Sequence, residues 1–423
     1  MTVLYAVISI LSWRRLTVNS WDNAIFELAI KAYAHFEAPI VHIKGGEYNI
    51  LGDHFSPIYA VIAPFYRIFP YAQTLLIAQA VLIGIGIFVI ARLAISQLGE
   101  VMGIAVSLLA GVAFGYGSAA VVDFHEVALA VPFLALAGAA FIEGRFTATV
   151  WWSVPLLFVK EDMGVTVAAI GLAIFMAGQR KLGAIVGAGG LLATVLTIYV
   201  IIPAFNTSGG YDYTGNLGGN GSIPETILTQ PDVKLVTLLV TFGITGFAAL
   251  LSPWAVVAAP TFIWRFAGDI EYYWGTTWHY SMVLMPVVFV AMIDALSRRR
   301  WMQWPAVAVG AAFTGYSLAG GPLLALLDND TWEPSPRAAA LKEAIGLIPE
   351  NAAVETDIGT LKFTVSDHDE VYWTGTIGNV IPDYILLDRN VTTQDPLELG
   401  ARHGVQYVVI FDDQGYVVAQ RQR

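Results

Sequence analysis

Four short polar stretches in an otherwise apolar chain hold the side chains able to do chemistry: Asn19 to Glu27, Gly52-Asp53-His54-Phe55-Ser56-Pro57, Asp123-Phe124-His125-Glu126 and Lys160-Glu161-Asp162. Asp22 lies between Trp21 and near Phe26, surroundings that raise a carboxyl pKa and suit a general base acting on a hydroxyl. The same residues read equally as a helix start, with Ser20, Asp22 or Asn23 capping a helix that runs to about His35. Glu27, five positions on, lies about 140° round an ideal helix from Asp22, so the two share a face only in part. His54 is able to bind a phosphate oxygen or, with Asp53 or Asp22, a divalent cation, while Asp53 or Ser56 is equally able to cap the helix that Pro57 opens. The Asp123 to Glu126 turn packs three ionisable groups between apolar segments, where such groups are costly and point to function, the other reading being a solvated loop apex. Lys160 can pair with Glu161 or offer its ammonium to a phosphate. Trp278-His279-Tyr280 reads as an interfacial aromatic belt or, less readily, as part of a lipid-headgroup site. No phosphate loop, nucleophile elbow, zinc-protease or dinucleotide fingerprint accompanies these stretches.

The elements that position them belong to a membrane protein. The 423 residues are 56% hydrophobic and 13% charged, with a mean hydropathy of +0.63; soluble domains carry roughly 25% charged residues. Blocks long enough to span a bilayer recur at 75–95, 104–122, 182–202, 233–251 and 280–296. A net charge of −11 speaks against nucleic acid, and the absence of cysteine removes disulfides and thiolate chemistry. The first apolar block, 2–13, lacks the basic start and small-residue cleavage site of a signal peptide and is short for a span. Arg92, Arg145, Arg180-Lys181 and Arg298-Arg299-Arg300 mark the inner face. Counting from them gives about eleven transmembrane helices, with residues 56–69 too short and too proline-interrupted to cross fully. It leaves the first outer loop at about 14–71, and every dense polar stretch, on the outside. The loop 206–232, with its Gly218-Gly219-Asn220-Gly221 run, is long enough to be a cover over a site or a plain connector. Small-residue spacings such as Gly183 to Gly187 read as helix packing.

Near residue 331 the composition turns soluble. Pro336–Ile348 has the stripe of an amphipathic helix, and β-like runs follow at 352–356, 371–373, 384–387, 405–411 and 416–419. The expected architecture is therefore an all-α polytopic membrane bundle over 1–330 with a small extracytoplasmic α/β domain over 331–423.

The ordered set Trp21-Asp22-Asn23-Ala24-Ile25-Phe26-Glu27, Leu51 to Pro57, Ala63-Pro64-Phe65-Tyr66, Thr74-Leu75 with Gln79, Asp123 to Glu126 and Val159 to Asp162 resembles the DUF2079 family of polytopic membrane proteins. Ile348 to Val354 and Pro382-Asp383-Tyr384 extend the resemblance into the tail. The first motif departs from the family form at Trp21, Asn23, Ala24 and Leu28, while Asp22 and Glu27 match. The family is itself similar to the GT-C glycosyltransferases, which use polyprenyl-phosphate-linked sugars at the outer membrane face.

That resemblance implies a GT-C-like fold and an inverting transfer of sugar from a polyprenyl-phosphate donor to a glycan, lipid or protein acceptor at a plasma membrane. It implies Asp22 as the base and His54, His125, Lys160 and Glu161 as phosphate- or substrate-binding residues. A divalent cation, Mg or Mn, is then expected on Asp22, Asp53 or Glu126. A phosphate leaving group needs charge neutralisation more than protonation, so a second acid/base carboxylate is not required. The reading from a different class is a transporter or flippase whose Asp, His and Lys form a relay.

Overall fold

The computed structural model describes residues 1–17, 20–219 and 221–422; Asn19 of the first polar stretch and Asn220 of the glycine-rich loop lie outside the described residues. The chain forms two compact units. One comprises Met1–Ile8, Gly52–Tyr59 and Ala78–Asp328; the other comprises Ser9–Leu51, Ala60–Ile77 and Asn329–Arg423.

The first unit is helical. By length and hydropathy three helices among the described residues can cross a bilayer: Ala72–Leu98, Glu100–Val122 and Arg180–Phe205. Glu271–Ser281 and Leu284–Arg298, bent by 69° at their junction, make a fourth if counted together. Shorter apolar helices fill in at Glu126–Ile142, Phe146–Phe158 and Met163–Met176. The eleven spans expected from the sequence are not reached on this measure, and the reason is local. Apolar blocks that look continuous are broken by residues that end a helix. The 233–251 block stops at Gly243, turns through Gly246 at φ +57° and resumes as a 3-10 turn at Ala248–Leu251. The Phe146–Ser153 helix tightens into 3-10 geometry at Val154–Phe158, where Pro155 removes a donor.

One helix pair is packed through glycine. A Cβ on Gly171 would sit 2.4 Å from the amide nitrogen of Gly187 and 2.7 Å from the carbonyl of Gly183, so the Met163–Met176 and Arg180–Leu196 backbones touch directly. The first of these helices begins immediately after Lys160-Glu161-Asp162, which fixes that tripeptide at the mouth of a rigid pair.

In the second unit, a five-stranded sheet is built from β1 (Val354–Thr356), β2 (Val371–Trp373), β3 (Tyr384–Asp388), β4 (Tyr407–Asp413) and β5 (Tyr416–Arg421) in the order β2-β1-β3-β5-β4. β1 runs parallel to β2 and β3; β5 is antiparallel to β3 and β4. The β4–β5 hairpin turns at Gln414 and Gly415, both at positive φ, as a two-residue turn matching strand twist requires. The Ala338–Gly346 helix lays Ala340, Leu341, Ala344 and Ile345 on one sheet face against Val354, Leu386 and Val418. Leu399 and Tyr407 cover the other with Ile385 and Leu387. The five expected β-runs and the amphipathic helix thus coincide with the observed elements to within a few residues.

Candidate functional site

Six of the sequence-nominated residues fall in the first unit, on three loops. The Phe114–Val122 helix ends at Asp123, whose φ of +100° is rare for a residue with a side chain. Gln79 of the Ala72–Leu98 helix holds this turn. Its Nε2 donates to the carbonyls of Ala119 (3.1 Å) and Asp123 (2.9 Å), and its Oε1 accepts the His125 amide (3.0 Å). The clamp turns His125 and Glu126 inward, and both are buried. His125 stacks on His279 with ring centroids 3.4 Å apart.

Glu126 meets Lys160 across the unit, carboxylate to ammonium at 2.9 Å. Lys160 therefore pairs with Glu126, not with its neighbour Glu161. Glu161 turns the other way: its Oε1 is 2.7 Å from His54 Nδ1 and accepts a hydrogen bond from the Tyr211 hydroxyl at 2.8 Å. The result is two linked ion pairs, Lys160–Glu126 and His54–Glu161, with Asp162 beside them. Burial pulls the Lys160 ammonium down, but Glu126, Glu161 and Asp162 outweigh it and hold the group firmly charged. Burial raises the Glu161 carboxyl, yet His54 and Lys160 bring it down to about 2. His54 is lowered by burial and lifted more by Glu161, so its net shift is upward. Asp162 has no such partner; burial pushes it up to about 6 against the pull of Lys160. Among the described residues, Glu161 Oε2 and Asp162 Oδ1 are buried without a hydrogen-bond partner.

The glycine-rich loop closes over this group. Besides Tyr211 on Glu161, the Tyr213 hydroxyl donates to Asp53 Oδ1 at 2.8 Å, and its ring stacks on His54 at 4.3 Å. Asn206 Nδ2 ties the loop base to the Gly52 carbonyl at 2.9 Å. A third contribution comes from the Ala259–Ala267 helix. Arg265, fully buried, donates to the carbonyls of Tyr273 (2.6 Å) and Gly275 (2.5 Å) and to the Ser281 hydroxyl (3.2 Å). That one guanidinium fixes the segment carrying His279.

His279, which the sequence offers as belt or as part of a headgroup site, stacks on His125 of the buried turn. Tyr211, Tyr213 and Arg265 had no short-range signal, beyond the unusual length of the loop holding the tyrosines, because their partners lie far away in sequence.

Asp22 belongs to the second unit. It opens the Asp22–Ala34 helix and accepts a hydrogen bond from the Ser20 hydroxyl at 2.9 Å. Glu27, one turn on, is fully buried and accepts from Tyr66 (2.9 Å) and Ser366 (2.6 Å). The cation expected on Asp22, Asp53 and Glu126 finds no support. Among the described residues no three His, Asp or Glu side chains converge in a way that holds a metal. The reason lies in the partners: Glu126 is engaged by Lys160 and Asp53 by Tyr213.

Among curated proteins none matches the chain in sequence. The crystal structure of ArnT from Cupriavidus metallidurans bound to undecaprenyl phosphate matches in fold, with a TM-score of 0.62 over 99% of this chain and 97% of that one at 14% identity. A family model described as a predicted membrane protein (DUF2079) matches residues 13–396, and the chain accordingly belongs to the DUF2079 family.

Proposed function

We propose that the protein is a membrane glycosyltransferase that moves a sugar from a polyprenyl-phosphate carrier to an envelope acceptor at the outer face of a plasma membrane, with inversion. The observation that carries this reading is the two linked ion pairs, Lys160–Glu126 and His54–Glu161, whose carboxylates are buried while the two cations stay about a quarter exposed, 26% and 24%. Burying charge in an apolar bundle is costly without a polar task. The fold shared with a protein crystallised with undecaprenyl phosphate points to a lipid phosphate as that task.

In this reading Lys160 and His54 neutralise the phosphate as it departs. Lys160 is held charged by its carboxylates, and His54 is biased toward its protonated form. Glu126 and Glu161 orient those two cations. Asp22, assigned by its match to the family motif, takes the proton of the acceptor hydroxyl, with Ser20 orienting the carboxylate. No step is routed through a metal.

Two variants of purified protein test the assignment. Lys160→Met made together with Glu126→Gln, so that no lone charge stays buried, should weaken undecaprenyl phosphate binding by about ten- to a hundredfold. Asp22→Asn should retain that binding and abolish transfer from a radiolabelled undecaprenyl-phosphate sugar; turnover at the unmodified rate would remove Asp22 from the mechanism. The broken helix at Glu271–Arg298 is the feature that favours a transporter. That reading predicts movement of the lipid between leaflets of a proteoliposome without sugar transfer.

A further inference from the structure

Strand β2 of the C-terminal sheet ends in Trp373, and its ring meets that of Trp21 edge to face, centroids 4.9 Å apart and planes at 86°. Both indoles are only partly buried. Lys44 Nζ lies 5.6 Å from the Trp21 ring centroid, and Asp22 follows Trp21 directly in the chain. Two perpendicular indoles form a corner with apolar walls, and the Lys44 ammonium lies beside one of them. The two large amphipathic rings stay partly open beside a polar group, an arrangement able to take a ligand with an apolar face and a polar rim.

The corner is held rigidly. The His42–Lys44 turn is anchored to β2 by the His42 ring against the Tyr372 ring at 5.2 Å and by the Thr376 hydroxyl, which donates to the Ile43 carbonyl. Gly375 makes room for the Trp373 indole: a Cβ there would lie 2.4 Å from a ring carbon. Rings fixed before binding lose little entropy when a ligand arrives.

We infer that Trp21 and Trp373, with Lys44, form the acceptor subsite, and that the acceptor is a glycan whose pyranose ring packs its C–H face on the indoles. A pyranose presents apolar C–H faces and a hydroxyl rim. The indoles take the face, Lys44 donates to a ring-borne hydroxyl, and a further hydroxyl is left for Asp22. A lipid tail has no hydroxyl to set against the Lys44 ammonium, and an extended peptide would gain nothing from two perpendicular rings. The inference rests on the transferase reading for the fate of the sugar, and on Trp21, Trp373 and Lys44 alone for its binding.

The test uses the full chain in detergent, with cellobiose and chitobiose as probes for saturation-transfer NMR and undecaprenyl phosphate as a separate ligand. At least one disaccharide should bind, with transfer strongest to the protons of one ring face. Trp373→Ala should weaken it by about tenfold or more and Trp373→Phe by less, with undecaprenyl phosphate affinity unchanged in both. Gly375→Ala, which displaces the indole without removing it, should weaken the disaccharide in the same way and covers the case in which Trp373→Ala does not fold. Failure of both disaccharides to bind while undecaprenyl phosphate does would overturn the inference and leave the transferase reading intact. Equal disaccharide affinity in folded Trp373→Ala would overturn it too. Disaccharide binding lost in the variants, with no undecaprenyl phosphate binding by any form, would support the corner as a sugar site and sink the transferase reading.

Discussion

At the scale of single residues, Glu27 shows how a motif residue can serve the fold. Burial pushes its carboxyl up to about 7, against the hydrogen bonds from Ser366 and Tyr66. The folded state therefore holds a proton that the unfolded chain releases near 4.5. Its contribution is fully present below 4.5 and is lost as pH rises to 7, at about 1.4 kcal/mol per unit. Asp162 and Asp357 are raised only to about 6, so above that value Glu27 is the carboxyl that still loses a proton. Glu27→Gln should remove a loss of stability between pH 4.5 and 7, read as the difference between the parent and variant profiles so that the histidine contributions cancel; a difference that does not change with pH would assign the proton elsewhere. The types of the site residues were legible in the sequence, because ionisable groups stand out in an apolar chain. Their partners were not. Adjacent side chains diverge, so Lys160 and Glu161 point to different neighbours, and Glu161 finds His54 at a separation of 107 residues.

At the scale of elements, legibility followed the strength of the local pattern. The five strands and the Ala338–Gly346 helix have clear alternation or stripes, bounded by turn residues, and were readable. The loop from Asn206 to Gly219 was recognisable only by composition, since two tyrosines aimed at distant carboxylates leave no periodic mark. Those two hydroxyl bonds are what hold the loop to Glu161 and Asp53, each with a net value of about 1 kcal/mol or somewhat more to a charged acceptor. Replacing both Tyr211 and Tyr213 with Phe should raise hydrogen-exchange rates for amides 207–219 by about tenfold or more, with the Met163–Met176 helix unchanged. Protection equal to that of the parent chain would show that stacking and the Asn206 tie suffice.

At the scale of the whole molecule, the apolar composition declared a membrane protein, but composition does not mark where a helix bends. Gly246 and Pro155 break apolar blocks that hydropathy alone reads as continuous, so the number of spans was the least legible feature. The side on which each loop lies is a separate matter, set by Lys and Arg. The chain has no cysteine, so single replacements report topology without background. Ser208→Cys and Thr392→Cys should react with an impermeant maleimide on intact cells, and Gly144→Cys only after permeabilisation; labelling of Gly144→Cys from outside would invert the orientation. Arg265 adds a consequence for genetics. Because its donors go to the segment 273–281 and it does not touch the ion pairs, replacing it would deprive the site of His279 while every charged residue there stayed in place. A screen for inactive variants would therefore score Arg265 beside the chemical residues. Only its pattern of rescue, by changes in the bend and never by added cations, would reveal it as architecture.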